Sequence, residues 1–463
     1  MREINFSADR LIDTLLEISG KAQVCLLDSC GVNHLDSRLL IAGVNPIETF
    51  QITNENPVDT LRFLDEKLSQ TDSACIFTIS YDFGLKLENI EPRQKEFSNF
   101  PEPDVFLARF DCLIIHDYNE NKTFLAGDAH KFDTLEKLIF SYSKNSTNST
   151  NSKITSNFTR TEYLAAIEKI KESIRSGDTY QTNLTQQIRA RLPENLTARE
   201  IFRRLRTNHP APFAAFIKRD ADCVVSISPE RFFKVQSPES RVQSRTISTS
   251  PVKGTRPRGK TEDEDLRLKN ELLESEKERA ENVMIVDLLR NDIGRICEFG
   301  SVSVEKLCDL ETHPTLFHLV STINGKLRED VKFSDIIRAV FPCGSITGAP
   351  KISTMRIIDR IETANRGLSM GAIGYSVRGS RFEVQSSKLD SETHHLPLTA
   401  YHYLDLSVAI RTMVIRGREA IFNVGGGIVI DSDPQAEYEE TLTKARALLK
   451  ALDAEDRAEN QVD

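Results

Sequence analysis

Four glutamates are spaced to act together. Glu278 and Glu281 lie three residues apart in KERAEN, and Glu437 and Glu440 lie three apart in AEYEET. Residues three apart share a helix face, so on helices each pair offers two carboxylates side by side. Lys444, four residues beyond Glu440, extends the second stripe. If the two stripes converge, hard oxygen ligands gather. That suits Mg²⁺, which takes one or two protein carboxylates, keeps waters and binds an anionic substrate directly. A di-iron site would need Glu-x-x-His on paired helices, and neither pair has a His at that spacing. The plain alternative is two solvated helix faces.

Other groups could meet an anion. GSITGAPK (344–351) and NVGGGIVIDS (423–432) are glycine-rich turns able to present backbone N–H groups. Neither has Walker A spacing, and the second does not open a helix, so a dinucleotide fingerprint is rejected. Lys253 stands in SPVKGTRPRG, a segment punctuated by Pro and Gly that holds a side chain in a defined place. A lone Lys is normally solvated. A nucleophilic one must be neutral, through desolvation or a nearby cation.

These residues need elements to hold them. Thr161–Ser176 has apolar residues at a helical period and ends at Gly177. Glu262–Leu289 reads as one long helix carrying the first pair. Pro434–Leu452 reads as another, with Asp433 as cap and Pro434 in its first turn. On it Leu442, Ala445, Leu449 and Leu452 cluster away from the Glu–Lys stripe, leaving the acids free to face a cleft. Val24–Leu27, Ala74–Ser80 and Cys112–Ile115 read as strands. Ser141–Ser156 is a polar linker or surface loop, and Ser237–Ser244 and Arg378–Leu396 read as surface loops. This irregular mixture predicts an α/β (α+β) fold. Its expected divisions are an N-terminal region 1–140, a linker 141–157, a catalytic region 158–455 and a tail 456–463.

The chain has 463 residues, a formal charge of −9 and no Trp. The acidic balance argues against a general nucleic-acid binder, which needs a basic stripe to displace phosphate counterions. It does not exclude a small anionic ligand in a locally basic pocket. Charges at Arg2, Glu3, Asp9, Arg10 and Asp13 interrupt any signal-peptide core, and no run is long enough to span a membrane. Eight scattered cysteines without a C-x-x-C pair predict neither a disulfide framework nor a thiolate metal site. The expectation is a reduced, cytoplasmic protein.

Taken together the segments resemble the chorismate-binding enzymes, a family that includes anthranilate, aminodeoxychorismate, isochorismate and salicylate synthases. The resemblance rests on GDTYQTNL (177–184), SPERFF (228–233), PVKGTRPRG (251–259), KERAENVMIVDLLRNDIGR (277–295), FHLVSTI (317–323), FPCGSITGAPK (341–351), GAIGYS (371–376), LDLSVAIRT (404–412) and GGGIVIDSDPQAEYEETLTKARA (425–447), in that order. It implies an anthranilate synthase component I-like fold of two orthogonally packed antiparallel β-sheets with outer helices. It implies that Glu281 and Glu440 contact Mg²⁺, with Glu278 and Glu437 supporting them. Lys444 and the N–H groups of Gly426 and Gly427 would hold carboxylate oxygens. Tyr375 and Arg411 match groups that bind the enolpyruvyl carboxylate of chorismate. Thr347, Gly348 and Ala349 would line the ring pocket, with His318 close to the reacting ring. LLDSC (26–30) resembles a tryptophan-binding segment of some members, which makes Leu27, Asp28 and Ser29 a candidate tryptophan site.

Two positions discriminate within the family. Members that add water resemble one another in a Lys base where this chain has Gln181, and an amide cannot serve as that base. Anthranilate synthases read P-I-A-G-T where this chain has PVKGT, and a Lys there marks the aminodeoxychorismate synthases. The resemblance then implies attack by Lys253 on ring carbon two, loss of the carbon-four hydroxyl with Glu230 as general acid, and displacement of Lys253 by ammonia. The chain has no G-x-C-x-G nucleophile of a class I glutaminase. Ammonia is therefore expected from solution or from a separate glutaminase subunit in a heterodimer. Cys343, Leu406 and the length of 378–396 depart from the family pattern without removing a charged group. The alternatives are anthranilate synthase component I, disfavoured by Lys253, and a non-catalytic chorismate- or tryptophan-binding regulatory module, disfavoured because all five acids are present.

Overall fold

Side chains alternate along Val24–Asp28. Cys25 and Leu27 enter one apolar cluster, Val24 and Leu26 another, as a strand covered on both faces requires. Ser73–Ile79 repeats the pattern, with Ala74 and Ile76 on one side and Cys75, Phe77 and Ile79 on the other. The structure, a computed structural model, describes residues 1–32, 34, 37–95, 101–140, 152–237, 245–312, 316–379, 382 and 402–454.

Two antiparallel sheets form. Among the described residues the larger has twelve strands, running from Arg2–Ile4 through Val24–Asp28, Phe213–Lys218 and Cys223–Ser228 to Thr412–Arg416, Glu419–Ile428, Gln181–Arg191 and Gly348–Ala349. The smaller has ten, running from Val252–Pro257 through Leu316–Lys326, Arg231–Ser237, His402–Val408 and Ala372–Arg378 to Ser73–Ile79 and Glu48–Ile52. Both sheets draw strands from either side of residues 141–157. They face each other across a core that joins Ile41, Leu113 and Ala215 of one to Ile76, Phe106 and Ala108 of the other. Helices Ala8–Ile18, Ala198–Asn208 and Pro434–Ala451 cover the outer face of the larger sheet. Pro57–Leu68, Glu276–Gly294 and Phe333–Val340 cover that of the smaller. Each Leu, Ile or Phe fully buried in these layers contributes roughly 1.5–3 kcal/mol.

Three expectations change. The long helix over 262–289 is two helices, Glu262–Glu274 and Glu276–Gly294, broken at Ser275. Ser275 has ψ 102° and accepts from the Glu278 N–H, so it starts a new helix in the manner of a capping serine. The polar stretch 141–156 ends in a strand, Lys153–Ser156, which pairs with Gln181–Arg191 and buries Ile154; residues 141–151 lie outside the described residues. Of the loop 378–396, Arg378 closes a strand and Phe382 is buried between the sheets; 380–381 and 383–396 lie outside the described residues, as do 238–244 and the tail 456–463. The helix at Arg160–Arg175 carries a capping box from Thr159, and that at Pro434–Ala451 is capped by Asp433, near the expected bounds. The eight cysteines are free thiols. Among the described residues no helix is long and apolar enough to cross a membrane.

Candidate active site

A bulge aims Lys253. Val252 pairs with Val320 and Thr255 with His318, and the register slips between them, which re-aims the residues in the bulge. Gly254 has φ +87°, and a Cβ there would stand 2.9 Å from Leu272 Cδ1 and 3.2 Å from Glu278 Oε2. Glycine therefore lets the bulge lie against the start of the Glu276–Gly294 helix. Lys253 Nζ donates to the Ser345 carbonyl at 3.3 Å.

Glu230 follows the strand Cys223–Ser228, in a turn fixed by Ser228 Oγ, which donates to the Val408 carbonyl at 2.6 Å. It is 6 % exposed, and its Oε1 has no hydrogen-bond partner. Burial pushes its carboxyl up, against the Ser345 hydroxyl, the Lys253 charge and the Val252 N–H. A carboxyl so placed keeps its proton to higher pH, as a general acid must.

The two glutamate stripes do approach one another. Glu281 is pushed up by burial and by the charges of Glu437 and Glu440, against Lys253 and Lys277. Glu440 feels burial upward, but Lys444 at 2.8 Å, Lys277 and Lys253 outweigh it and hold it low. Glu437 is buried and accepts from Ser432 Oγ at 2.7 Å and Lys277 Nζ at 3.3 Å. Glu278 Oε1 accepts from Arg256 at 2.9 Å, while its Oε2 is buried without a partner. Among the described residues no three His, Cys, Asp or Glu converge closely enough to hold a metal as the side chains stand. Arg256, Lys277 and Lys444 neutralise the acids instead. The donor set still fits a hard divalent cation: carboxylate oxygens only, one of them an orphan, with Glu437 and Glu440 raising Glu281.

Backbone approaches this cluster where side chains are missing. A Cβ on Gly426 would meet Glu437 Oε2 at 3.3 Å and Lys444 Nζ at 3.5 Å. On Gly427 it would meet Gln181 Nε2 at 2.1 Å. Gln181 thus lies across the glycine strand, 2 % exposed, with Oε1 unpartnered. Lys444 Nζ also donates to the Gly425 carbonyl at 3.1 Å. Gly348, at φ +139°, pairs with Thr182, and Ala349 with Gln181. Thr347 is buried with its hydroxyl donating to the Cys343 carbonyl at 2.9 Å, so that hydroxyl shapes the turn.

Arg411 adopts φ +48°, a conformation a non-glycine residue holds only when its surroundings enforce it. Burial lowers its guanidinium, and no carboxylate among the described residues pairs with it. An arginine desolvated in this way is prepared for an anion. His318 is buried, its Nδ1 2.9 Å from Thr255 Oγ1. Its ring stands 6.3 Å from that of His34, whose Nδ1 is 2.6 Å from Glu311 Oε2.

Tyr375 stands on the strand Ala372–Arg378. It stacks on Tyr403 at 5.7 Å and lines a cavity of about 60 Å³ between the sheets with Leu27, Ser29, Arg38 and Phe213. Ser29 Oγ is buried there without a partner. Asp28 belongs to the same wall, but its carboxylate is held by Arg206 at 2.7 Å, Tyr118 at 2.7 Å and the Cys30 N–H at 2.9 Å. The cavity is under half of the roughly 150 Å³ that accommodates benzene, so an indole would enter only if an aromatic wall residue turned aside. Leu406, larger than the family pattern, fits because Gly374 opposite has no side chain to meet it.

This fold, with acids and glycine backbone gathered at one place, defines a class: residues 23–385 and 398–450 match the chorismate binding enzymes, and the chain belongs to that family. It is 33 % identical over 422 residues to anthranilate synthase component 1 of Aquifex aeolicus, covering 86 % of this chain and 78 % of that one. It is also 33 % identical over 455 residues to aminodeoxychorismate synthase component 1 of Escherichia coli, covering 92 % and 93 %. The crystal structure of anthranilate synthase component I from Streptococcus pneumoniae superposes with a TM-score of 0.73 at 26 % identity, covering 90 % and 93 %. Equal identity to two differently named relatives leaves the choice of reaction to individual side chains.

Sequence reasoning missed Ser345, Arg256, Lys277 and His34. Ser275-x-x-Glu278 is a capping signature that could have revealed the helix break and the placement of Glu278. The others carried no local signal.

Proposed function

We propose that the chain acts as an aminodeoxychorismate synthase component I, converting chorismate and ammonia to 4-amino-4-deoxychorismate. The observation that carries this reading is Lys253 on its bulge, bonded to the Ser345 carbonyl and close enough to act electrostatically on Glu230, Glu281 and Glu440. An amine between an acid that retains its proton and an anion-binding cluster has the equipment for substitution on a dianionic ring. Arg411 takes the enolpyruvyl carboxylate, and Lys444 with the N–H groups of Gly426 and Gly427 takes the ring carboxylate. Mg²⁺, held by Glu281 and Glu440 with Glu278 and Glu437 in support, would neutralise that carboxylate and polarise the ring.

The neutral Lys253 amine bonds to ring carbon two as the carbon-four C–O bond breaks, and Glu230 gives its proton so that the hydroxyl departs as water. Ammonia then bonds to carbon four while the bond from carbon two to Lys253 breaks. The nitrogen on carbon four returns a proton to Glu230, so the net change is ammonia in, water out, with the enolpyruvyl group kept. Gln181 offers no base for adding water. Ammonia would come from a separate glutaminase subunit.

The test is incubation with chorismate, Mg²⁺ and ammonium, with and without an aminodeoxychorismate lyase, reading products by chromatography. The expected product yields 4-aminobenzoate only with the lyase. Fluorescent anthranilate without the lyase would instead assign anthranilate synthase. Lys253→Ala should lose amination by at least about a hundredfold while still binding chorismate, and an intact rate would overturn the covalent route. Glutamine should replace ammonium only when the glutaminase is added.

A further inference from the structure

One residue of the FPCGS turn bonds one reacting group and acts on the other. Ser345 is 7 % exposed, and its carbonyl accepts from Lys253 Nζ at 3.3 Å. Its hydroxyl stands 3.3 Å from Cys343 Sγ and faces the Glu230 carboxyl. Lys253 comes from a bulged strand and Glu230 from a turn; the serine bonds the amine through its carbonyl, and its hydroxyl lowers the carboxyl against the push of burial. We propose that Ser345 is a positioning residue: its carbonyl orients the Lys253 amine toward the ring, and its hydroxyl fixes the Glu230 carboxyl in line with the leaving oxygen. The assignment rests on the reading of Lys253 and Glu230 given above.

The surroundings make the hydroxyl matter. Glu230 is faced by Lys253 from the bulged strand, by the Val252 N–H, and by Cys343 and Ser345 from the turn. Burial pushes the Cys343 thiol up to about 12, so it brings no charge. Lys351, the next cation along, is held by Asp292 and the Val340 carbonyl. Among the described residues Lys253, before it gives up its proton to become the nucleophile, is the one charged group acting on Glu230, and the Ser345 hydroxyl is the side chain that favours the ionised acid. Removing it moves the Glu230 titration upward.

Ser345→Ala is compared with Ser345→Thr, which keeps a hydroxyl, after both are shown to melt cooperatively. In steady-state amination, Ser345→Ala should lower kcat about tenfold to a hundredfold with little change in KM, and Ser345→Thr should restore much of it. Infrared titration of the protonated-carboxyl band that Glu230→Gln removes should show that band persisting about half a unit to one unit higher in pH in Ser345→Ala than in the parent. An unmoved band, or a loss of kcat that Ser345→Thr does not relieve, overturns the proposal. The infrared measurement needs no turnover. A parent enzyme that forms no aminated product would therefore overturn the functional reading, while the band position still decides the role of Ser345.

Discussion

Gly427 is small because Gln181 lies across it. A Cβ there would come within 2.1 Å of the Gln181 amide, a contact relieved only by moving a side chain that is 2 % exposed. Gly427→Ala should therefore displace Gln181 and crowd the backbone that is proposed to meet the ring carboxylate. We expect kcat/KM to fall at least about tenfold while stability changes by about 1–2 kcal/mol; steady-state kinetics beside thermal melting separates the two. Retained kcat/KM would mean the glycine serves folding alone. Arg411 and Glu230 illustrate the same economy of charge. Each is buried without full compensation inside the protein, a state that persists where a ligand supplies the missing partner.

At the scale of elements, the site depends on where helices begin. Ser275 ends one helix and caps the next, and Asp433 caps the last. Glu278 and Glu437 thus fall in first turns, where carboxylates are favoured by the positive end of the helix dipole. Ser275→Ala should destabilise by about 1 kcal/mol, the usual loss for a missing cap. It should lower amination by more than that loss of folded population explains, because Glu278 shifts against Arg256 and the Lys253 bulge. Differential scanning calorimetry with an activity assay checks this, and a change in stability without a change in rate would contradict it. The bulge itself is an element-level device. A strand in perfect register would turn Lys253 to the opposite face.

Across the whole molecule, acids buried away from the site link folding to pH. Burial pushes Asp82 up to about 6 and Glu102 up to about 7, opposed for Glu102 by Arg219 and reinforced by Asp222 and Asp82. Both folded values exceed the unfolded ones, so the folded state binds more protons in between. Their stabilisation is fully present below about pH 4 and is lost as pH rises toward 7. Glu102 alone accounts for up to about 3 kcal/mol of this slope. Glu102→Gln should flatten the fall in Tm between pH 5 and 8; a slope identical to the parent's would show that Glu102 does not titrate in the folded state.

The sequence by itself determined the chemical inventory and several of the elements. Helical and alternating periods located Arg160–Arg175, Pro434–Ala451 and the central strands. The ordered segments that carry Glu230, Lys253 and the four glutamates gave the family resemblance before any packing was known. These signals are local, carried by side chains within a turn or two of each other. Only the tertiary structure decided which groups meet. Ser345 reaches Lys253 across 92 residues of chain and Lys277 reaches Glu437 across 160, contacts that no local pattern encodes. It also set Tyr375 beside Leu27 and Ser29 in one cavity between the sheets. The direction of a strand side chain follows from which sheet face its neighbours cover, and that is settled only when strands from both ends of the chain have paired.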